Sequence, residues 1–189
     1  MTTTIKTNPH RAVDYSESGV KKALEAAGSL EAEVKYDGVR LNLPVFPTGE
    51  TQWLSRESKE LPALSWLSGS GAVFKKADDW RWFLKQAGHE VSGLMIDGEV
   101  MVKGVDFNTS SGLIRTKWTK KTNVDWHTDP MAPAKVPFCL DQKFIQVIVY
   151  GVIDLNVIND PKAEGPIHSV TRLKAEAIVP LLQKYFPEI

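Results

Sequence analysis

The sequence predicts an α+β domain, and three observations carry that expectation. Runs rich in β-branched residues, KFIQVIVYGVIDL above all, read as strands. Apolar residues recur at helical spacing in several other stretches. In order along the chain, strands come with helices between and after them. At 189 residues the chain suits one domain and is long enough to bury a real core.

The elements follow in turn. A helix is expected from Ser18 to Ala27, with Val20, Ala23, Leu24 and Ala27 on one face, Ser16 or Ser18 as cap and Gly28 as stop. LEAEVKY, VRLNLPV and TQWLSR read as three strands joined by short turns such as FPTGE. ELPALSWLSG reads as a short helix, and KKADDWRWFLKQAG as a longer one burying Trp80, Phe83 and Leu84 before Gly88. GLMIDGEVMVK is a strand pair or one long strand bent around Gly98. Residues 104–140 are polar and proline-interrupted, so mostly loop is expected. KFIQVIVYGVIDL is the strongest strand, and a last helix runs near Ser169 to Tyr185 with Pro180 placed to kink it.

Composition narrows the function. The ordinary mixture of apolar and charged residues excludes disordered and collagen-like classes. A formal net charge of zero neither demands nor excludes a polyanionic partner, since a balanced total can hide a basic stripe. Cys139 is the only cysteine, which rules out an internal disulfide and fits a reducing cytoplasm. No apolar run reaches membrane-spanning length and MTTTIKTNPH lacks a signal-peptide core, so a soluble intracellular protein is expected. No Gly-x-x-x-x-Gly-Lys-Ser/Thr loop is present. His10, His89, His127 and His168 are scattered, which gives zinc chemistry no support, and no local signal marks a serine–histidine hydrolase.

Alternation along the strands sorts the polar residues by face. Glu31, Glu33 and Lys35 point one way, opposite Ala32, Val34 and Tyr36. Met95, Asp97, Glu99, Met101 and Lys103 share a face. In the late strand Phe144, Gln146, Ile148, Tyr150 and Val152 are expected together. On these residues alone, Lys35 reads as a solvated strand lysine, Tyr150 as a core tyrosine, and Glu99 as either a solvated or a functional carboxylate. A covalent role for Lys35 needs a neutral amine, whose reference pKa of ~10.4 leaves little at neutral pH. Glu33 and Asp37 would raise that value, so a cation such as Arg40, or magnesium on a triphosphate, must offset them. With the other chemistries unsupported, the remaining candidate is a lysine nucleophile attacking phosphorus.

KYDGVR, residues 35–40, resembles the Lys-x-Asp-Gly-x-Arg signature of covalent nucleotidyltransferases, the group of DNA ligases, RNA ligases and capping enzymes. IKTNPHRAV, AEVKYDGVR, WLSRESKELPAL, DGEVMVKGVDFNTSSGLIRTKWT and LLQKYFPEI together resemble the ATP-dependent DNA ligases of podoviruses, most weakly over residues 65–92 and 120–165. The resemblance implies an antiparallel-sheet nucleotidyltransferase domain, the ATP-grasp-like adenylation domain. It implies that Lys35 attacks the α-phosphate of ATP and carries AMP. Glu33 and Val34 would lie beside the adenine and Arg40 near the ribose and the nick. Arg56 would approach the sugar and phosphates, Glu99 would bind the ribose hydroxyls and Tyr150 would stack on the base. Magnesium as a second cofactor, nicked double-stranded DNA as partner, a monomer and roles in phage DNA replication, repair and recombination are implied likewise.

Lys103, Arg115, Lys117, Lys120 and Lys121 form a basic run suited to phosphates, or else a solvated loop. The family's metal-site glutamate, its α-phosphate lysine pair and its oligonucleotide-binding-fold domain find no counterpart in the sequence. Residues 1–189 are thus expected to be the N-terminal part of the adenylation domain, incomplete at its C-terminus. Another covalent nucleotidyltransferase, or a remnant that binds nucleotide or DNA without chemistry, stays open as an alternative.

Overall fold

The computed structural model describes residue 5, residues 14–68, 77–120 and 135–187, and residue 189. Its centre is a three-stranded antiparallel sheet in the order β1 (Val39–Val45), β2 (Leu94–Val102), β5 (Ile145–Asp154). β1 pairs with β2 in one unbroken register, Val39 opposite Val100 through Val45 opposite Leu94. Side chains two apart share a face, so Val39, Leu41, Leu43 and Val45 enter the core with Leu94, Ile96, Val100 and Val102. The same parity turns Arg40, Asp97 and Glu99 to the opposite face. An antiparallel domain of strands and helices is the α+β architecture the sequence predicts.

Helices close the core face. α2 (Ala77–Gln86) buries Trp80, Phe83 and Leu84, as its spacing requires. α5 (His168–Leu182) lies on β5 and buries Thr171, Ala175, Ile178 and Leu182, with Pro180 inside the helix. The chain after α5 folds back so that Phe186 stacks on Trp80 with ring centroids 3.8 Å apart. The segment Pro62–Leu67 is a 3₁₀-helix, started by a proline that needs no hydrogen-bond acceptor for its nitrogen. α1 (Glu17–Ala27) has the expected ends. Ser16 accepts from the amide of Gly19, and Gly28 takes the left-handed conformation at φ 75°. None of its residues is buried.

Four expectations need correction. LEAEVKY is not a strand: no described strand pairs with residues 29–37, and Val34 is 70 % exposed. A strand needs a ladder partner as well as propensity. TQWLSR runs beside β1 through isolated bridges at Thr51 and Leu54 only. Residues 104–140 are not mostly loop where they are described. They hold α3 (Phe107–Arg115), β3 (Trp118–Lys120) and β4 (Lys135–Pro137). α3 escapes an apolar pattern because its inward face is Ser110, Ser111 and Ile114, with Ser110 accepting from the amide of Val102 at 2.8 Å. Its start is nonetheless written in the sequence, since Asp106 caps the amides of Asn108 and Thr109.

The fourth correction concerns Val152, which does not share the face of Tyr150. Asp97 opposes Gly151 while Gly98 opposes Val149, so Tyr150 is the extra residue of a β-bulge. Beyond it the alternation inverts, and Val152 is fully buried in the core. A short helix α4 (Leu155–Asn159), capped by Asp154, follows directly. No helix among the described residues is long and apolar enough to cross a membrane.

Phe83 of α2 is fully buried, its ring edge-to-face with Trp80 of the same helix. Phe83→Ala is therefore expected to lower unfolding free energy by about 3–5 kcal/mol, read from urea titration. A loss below ~1 kcal/mol would show that the helix layer is not packed as described.

Candidate nucleotide site

The sheet face opposite the core forms the floor of a cavity of about 650 Å³. Its far wall is the extended chain at residues 33–38, and α5 closes one end. All seven residues named from the sequence line it: Glu33, Val34, Lys35, Arg40, Arg56, Glu99 and Tyr150. Six come from the β1–β2–β5 sheet and the chain entering it, and Arg56 from the turn that ends the TQWLSR segment.

The floor is a charge network spanning three strands. Arg40 on β1 forks onto Asp97 of β2, Nε donating to Oδ1 at 2.6 Å and Nη2 to Oδ2. Burial lowers the Arg40 pKa, but Asp97 and then Glu99 outweigh it and hold the guanidinium firmly charged. The same guanidinium lies 5.6 Å from the centroid of the Tyr150 ring. Glu99 accepts from the amide of Gly38 at 3.1 Å and from the hydroxyl of Tyr150. Burial raises the Glu99 pKa, against the opposing pull of the Gly38 amide, Arg40 and Lys35. Burial and the adjacent Glu99 charge push Tyr150 up to about 12, so its hydroxyl stays a donor at neutral pH.

Gly98 aims Tyr150. A β-carbon at Gly98 would lie 2.2 Å from the carbonyl oxygen of Ile148 and 3.3 Å from Cα of Val149. Those are backbone atoms of β5, which crosses too closely for any side chain. The close crossing coincides with the bulge that turns Tyr150 into the cavity. Gly151 is likewise tight, its absent β-carbon 3.1 Å from Thr171 of α5.

At the wall, Lys35 is open to solvent and donates to Oδ1 of Asp37 at 2.9 Å. That hydrogen bond, and the charge behind it, raise the Lys35 pKa. Glu33 does not face the cavity freely, because its Oε1 meets Nε2 of His168 at 3.0 Å. A second cavity of about 590 Å³ shares Gly38, Arg40 and Arg56 with the first and adds Lys59 and Arg115. Of the basic run, Arg115 thus reaches the site, while Lys117 lies over the Trp118 ring. Lys121 lies outside the described residues.

Sequence reasoning missed several lining residues. Asp97 sat on the right face but carried no role, and its bidentate grip on Arg40 depends on strand register. Phe107 lies at the cavity edge because α3 begins there. Thr171 and His168 come from α5, over a hundred residues from Lys35, and no local signal could have paired them.

The donor set suits a nucleoside phosphate: an aromatic face for a base, a carboxylate for ribose hydroxyls, and arginines for phosphates. Magnesium held by protein is not supported in the same way. Asp97 is committed to Arg40 and Glu99 to Gly38 and Tyr150, and among the described residues no group of three or more His, Cys, Asp or Glu could hold an ion.

Residues 11–160 match the family described as the ATP dependent DNA ligase domain. The DNA ligase of Escherichia phage T7 is 44 % identical over 191 residues, covering 98 % of this chain and 52 % of that protein. The DNA ligase of Enterobacteria phage T3 is 42 % identical, covering 97 % and 55 % respectively. The solved structure of the bacteriophage T7 ATP-dependent DNA ligase in complex with ATP superposes with a TM-score of 0.80 at 43 % identity, covering 98 % of this chain and 53 % of that one. The chain spans about half the length of the curated relatives it matches.

Gly98→Ala is expected to lower stability by about 1–3 kcal/mol, because β5 must shift to admit the methyl group. Gly112→Ala, inside α3 with open space around it, should be neutral or stabilising by up to ~1 kcal/mol. Thermal unfolding of the pair checks this; equal effects would mean that the β2–β5 crossing is not tight.

Proposed function

The chain belongs to the ATP-dependent DNA ligase domain family, and from that premise we propose that Lys35 is the nucleophile of an ATP-dependent nick-sealing reaction. The observation that carries the proposal is the convergence of Lys35, Arg40, Arg56, Glu99 and Tyr150 on one cavity. The base stacks on Tyr150 beside Val34, the ribose hydroxyls meet Glu99, and the phosphates lie between Lys35 and the arginines. In the first step Nζ of Lys35 bonds to the α-phosphorus of ATP. The bond from that phosphorus to pyrophosphate breaks, and the Nζ proton leaves to Asp37 or to water. The lysine–AMP phosphoramidate then delivers AMP to the 5′-phosphate of a nick. Finally the 3′-hydroxyl attacks that phosphate, AMP departs and the strand is closed.

The first two steps move AMP onto and off the Lys35 nitrogen and the third exchanges one phosphate oxygen for another, so alignment and fixed charge supply most of the acceleration. Arg40 and Arg56 line both cavities, which suits groups that act on the nucleotide and on a DNA phosphate in turn. Arg115 and Lys59 extend the positive wall away from the nucleotide, where phosphate contacts position a duplex without reading its sequence. Magnesium would accompany the triphosphate as its counter-ion. A monomer acting in the host cytoplasm, with residues 1–189 as the first part of an adenylation domain, completes the reading.

The pH dependence follows from the Lys35–Asp37 contact. Because the Lys35 pKa is raised, the neutral amine is a small minority at pH 7. Its fraction grows about tenfold per pH unit until the pKa is reached. Incubation with α-labelled ATP, denaturing electrophoresis and peptide mapping should place AMP on Lys35. The rate should climb about tenfold from pH 7 to pH 8 at saturating nucleotide. Lys35→Ala should abolish the label, and Asp37→Asn should move the profile to lower pH. AMP mapped to Lys59 or Lys103 instead would overturn the assignment.

A further inference from the structure

We infer that Arg172 and His168 on α5 are positioning residues that hold the Lys35 segment in line with the cavity; the inference rests on Lys35 being the nucleophile. Residues 29–37 have no ladder partner among the described residues, and Leu30 and Val34 are exposed. Something other than sheet pairing must fix their path. Two clamps do so, one on each side of Lys35.

The downstream clamp is the Gly38 amide on Glu99, which ties the segment to β2. The upstream clamp is ionic and comes from α5. Arg172 Nη1 lies 2.9 Å from Glu31 Oε2 and 3.7 Å from Glu33 Oε1. Its Nε is held at 3.0 Å by Glu176, one turn along the same helix, so the guanidinium fork is oriented before it meets the segment. His168, one turn the other way, meets Glu33 at 3.0 Å. The opposite face of α5 is anchored in the core by Ala175, Ile178 and Leu182. The helix is therefore a rigid bar between the core and the segment. Its charged face sets where residues 31–33 lie, and Lys35 follows two residues later.

One exposed ion pair contributes only a factor of about two to five. Here one guanidinium serves Glu31 and Glu33 at once, and removing it leaves only the His168 contact to Glu33 between α5 and the segment. Two residues of slack upstream of a nucleophile are enough to spoil an attack geometry, since small displacements cost rate steeply.

The test has two arms, backbone amide relaxation by NMR and covalent labelling with ATP, on the wild-type chain and on Arg172→Ala. In the wild type, order parameters for residues 31–36 should approach ~0.85, the value of rigid backbone, and in Arg172→Ala they should drop below ~0.6. β1 amides should not change in either protein, which separates loss of anchoring from loss of fold. Arg172→Lys should fall between, having the charge without the fork. High salt should move the wild type toward the variant, since the pairs are exposed. In the labelling arm, Arg172→Ala should slow lysyl-AMP formation about five- to tenfold at saturating ATP. Glu31→Ala should add nothing in that background. A segment equally ordered in both proteins, or already mobile in the wild type, overturns the inference. A segment that loosens in the variant while the wild type places no AMP on Lys35 sustains the anchoring and overturns the Lys35 assignment instead.

Discussion

Everything at the site depends on the register between β1 and β2. Arg40 stands opposite Glu99, and Asn42 opposite Asp97, so the guanidinium reaches diagonally to Asp97 while lying beside Glu99. A slip of one residue would send Arg40 into the core and Leu41 into the cavity. The register is therefore defended twice. On one face Leu41, Leu43, Ile96 and Val100 are buried together, and on the other the Arg40–Asp97 fork closes. Core packing and site assembly are two readings of a single alignment.

β5 then adds what the first two strands cannot. The bulge at Tyr150 costs a ladder position but lets an aromatic ring face Arg40 and its hydroxyl reach Glu99. Gly98 makes the close crossing possible. The resulting polar floor is nearly self-satisfied, which matters because a half-buried charge without partners is costly. A nucleotide that binds there exchanges partners rather than finding bare charges. It would meet a Glu99 that already accepts from Gly38 and an Arg40 already oriented by Asp97. Lys35 is the contrast. It sits exposed on a segment without sheet pairing among the described residues, whose path is fixed by the Gly38 amide on Glu99 and by the ion pairs from α5.

Much of this was legible in the sequence because it is local. Period-two alternation in VRLNLPV and LMIDGEVMV separates core from site, and KYDGVR marks the turn into β1. The capping residues Ser16 and Gly28 also state their roles in a few neighbouring letters. What was hidden depends on distant partners. LEAEVKY has the composition of a strand, yet a strand forms only where another backbone pairs with it. The face inversion after Tyr150 arises from a bulge that only the β2–β5 pairing reveals, so Val152 lies on the side opposite to the one its spacing predicts. α3 hides because serines, not apolar residues, fill its inward face. Asp97, His168 and Thr171 enter the site through register and helix docking, and no motif announces either.

The Arg40–Asp97 fork couples the two strands that carry the site. A double-mutant cycle in urea unfolding, with Arg40→Ala, Asp97→Ala and the double variant, measures that coupling directly. The side chains are 32 % and 18 % exposed, so solvent screening reduces the pair's energy without abolishing it. The expected interaction energy is about 1 kcal/mol or more, with each single variant costlier than its lost packing alone would make it. Additive effects, with a coupling within ~0.3 kcal/mol of zero, would contradict the account.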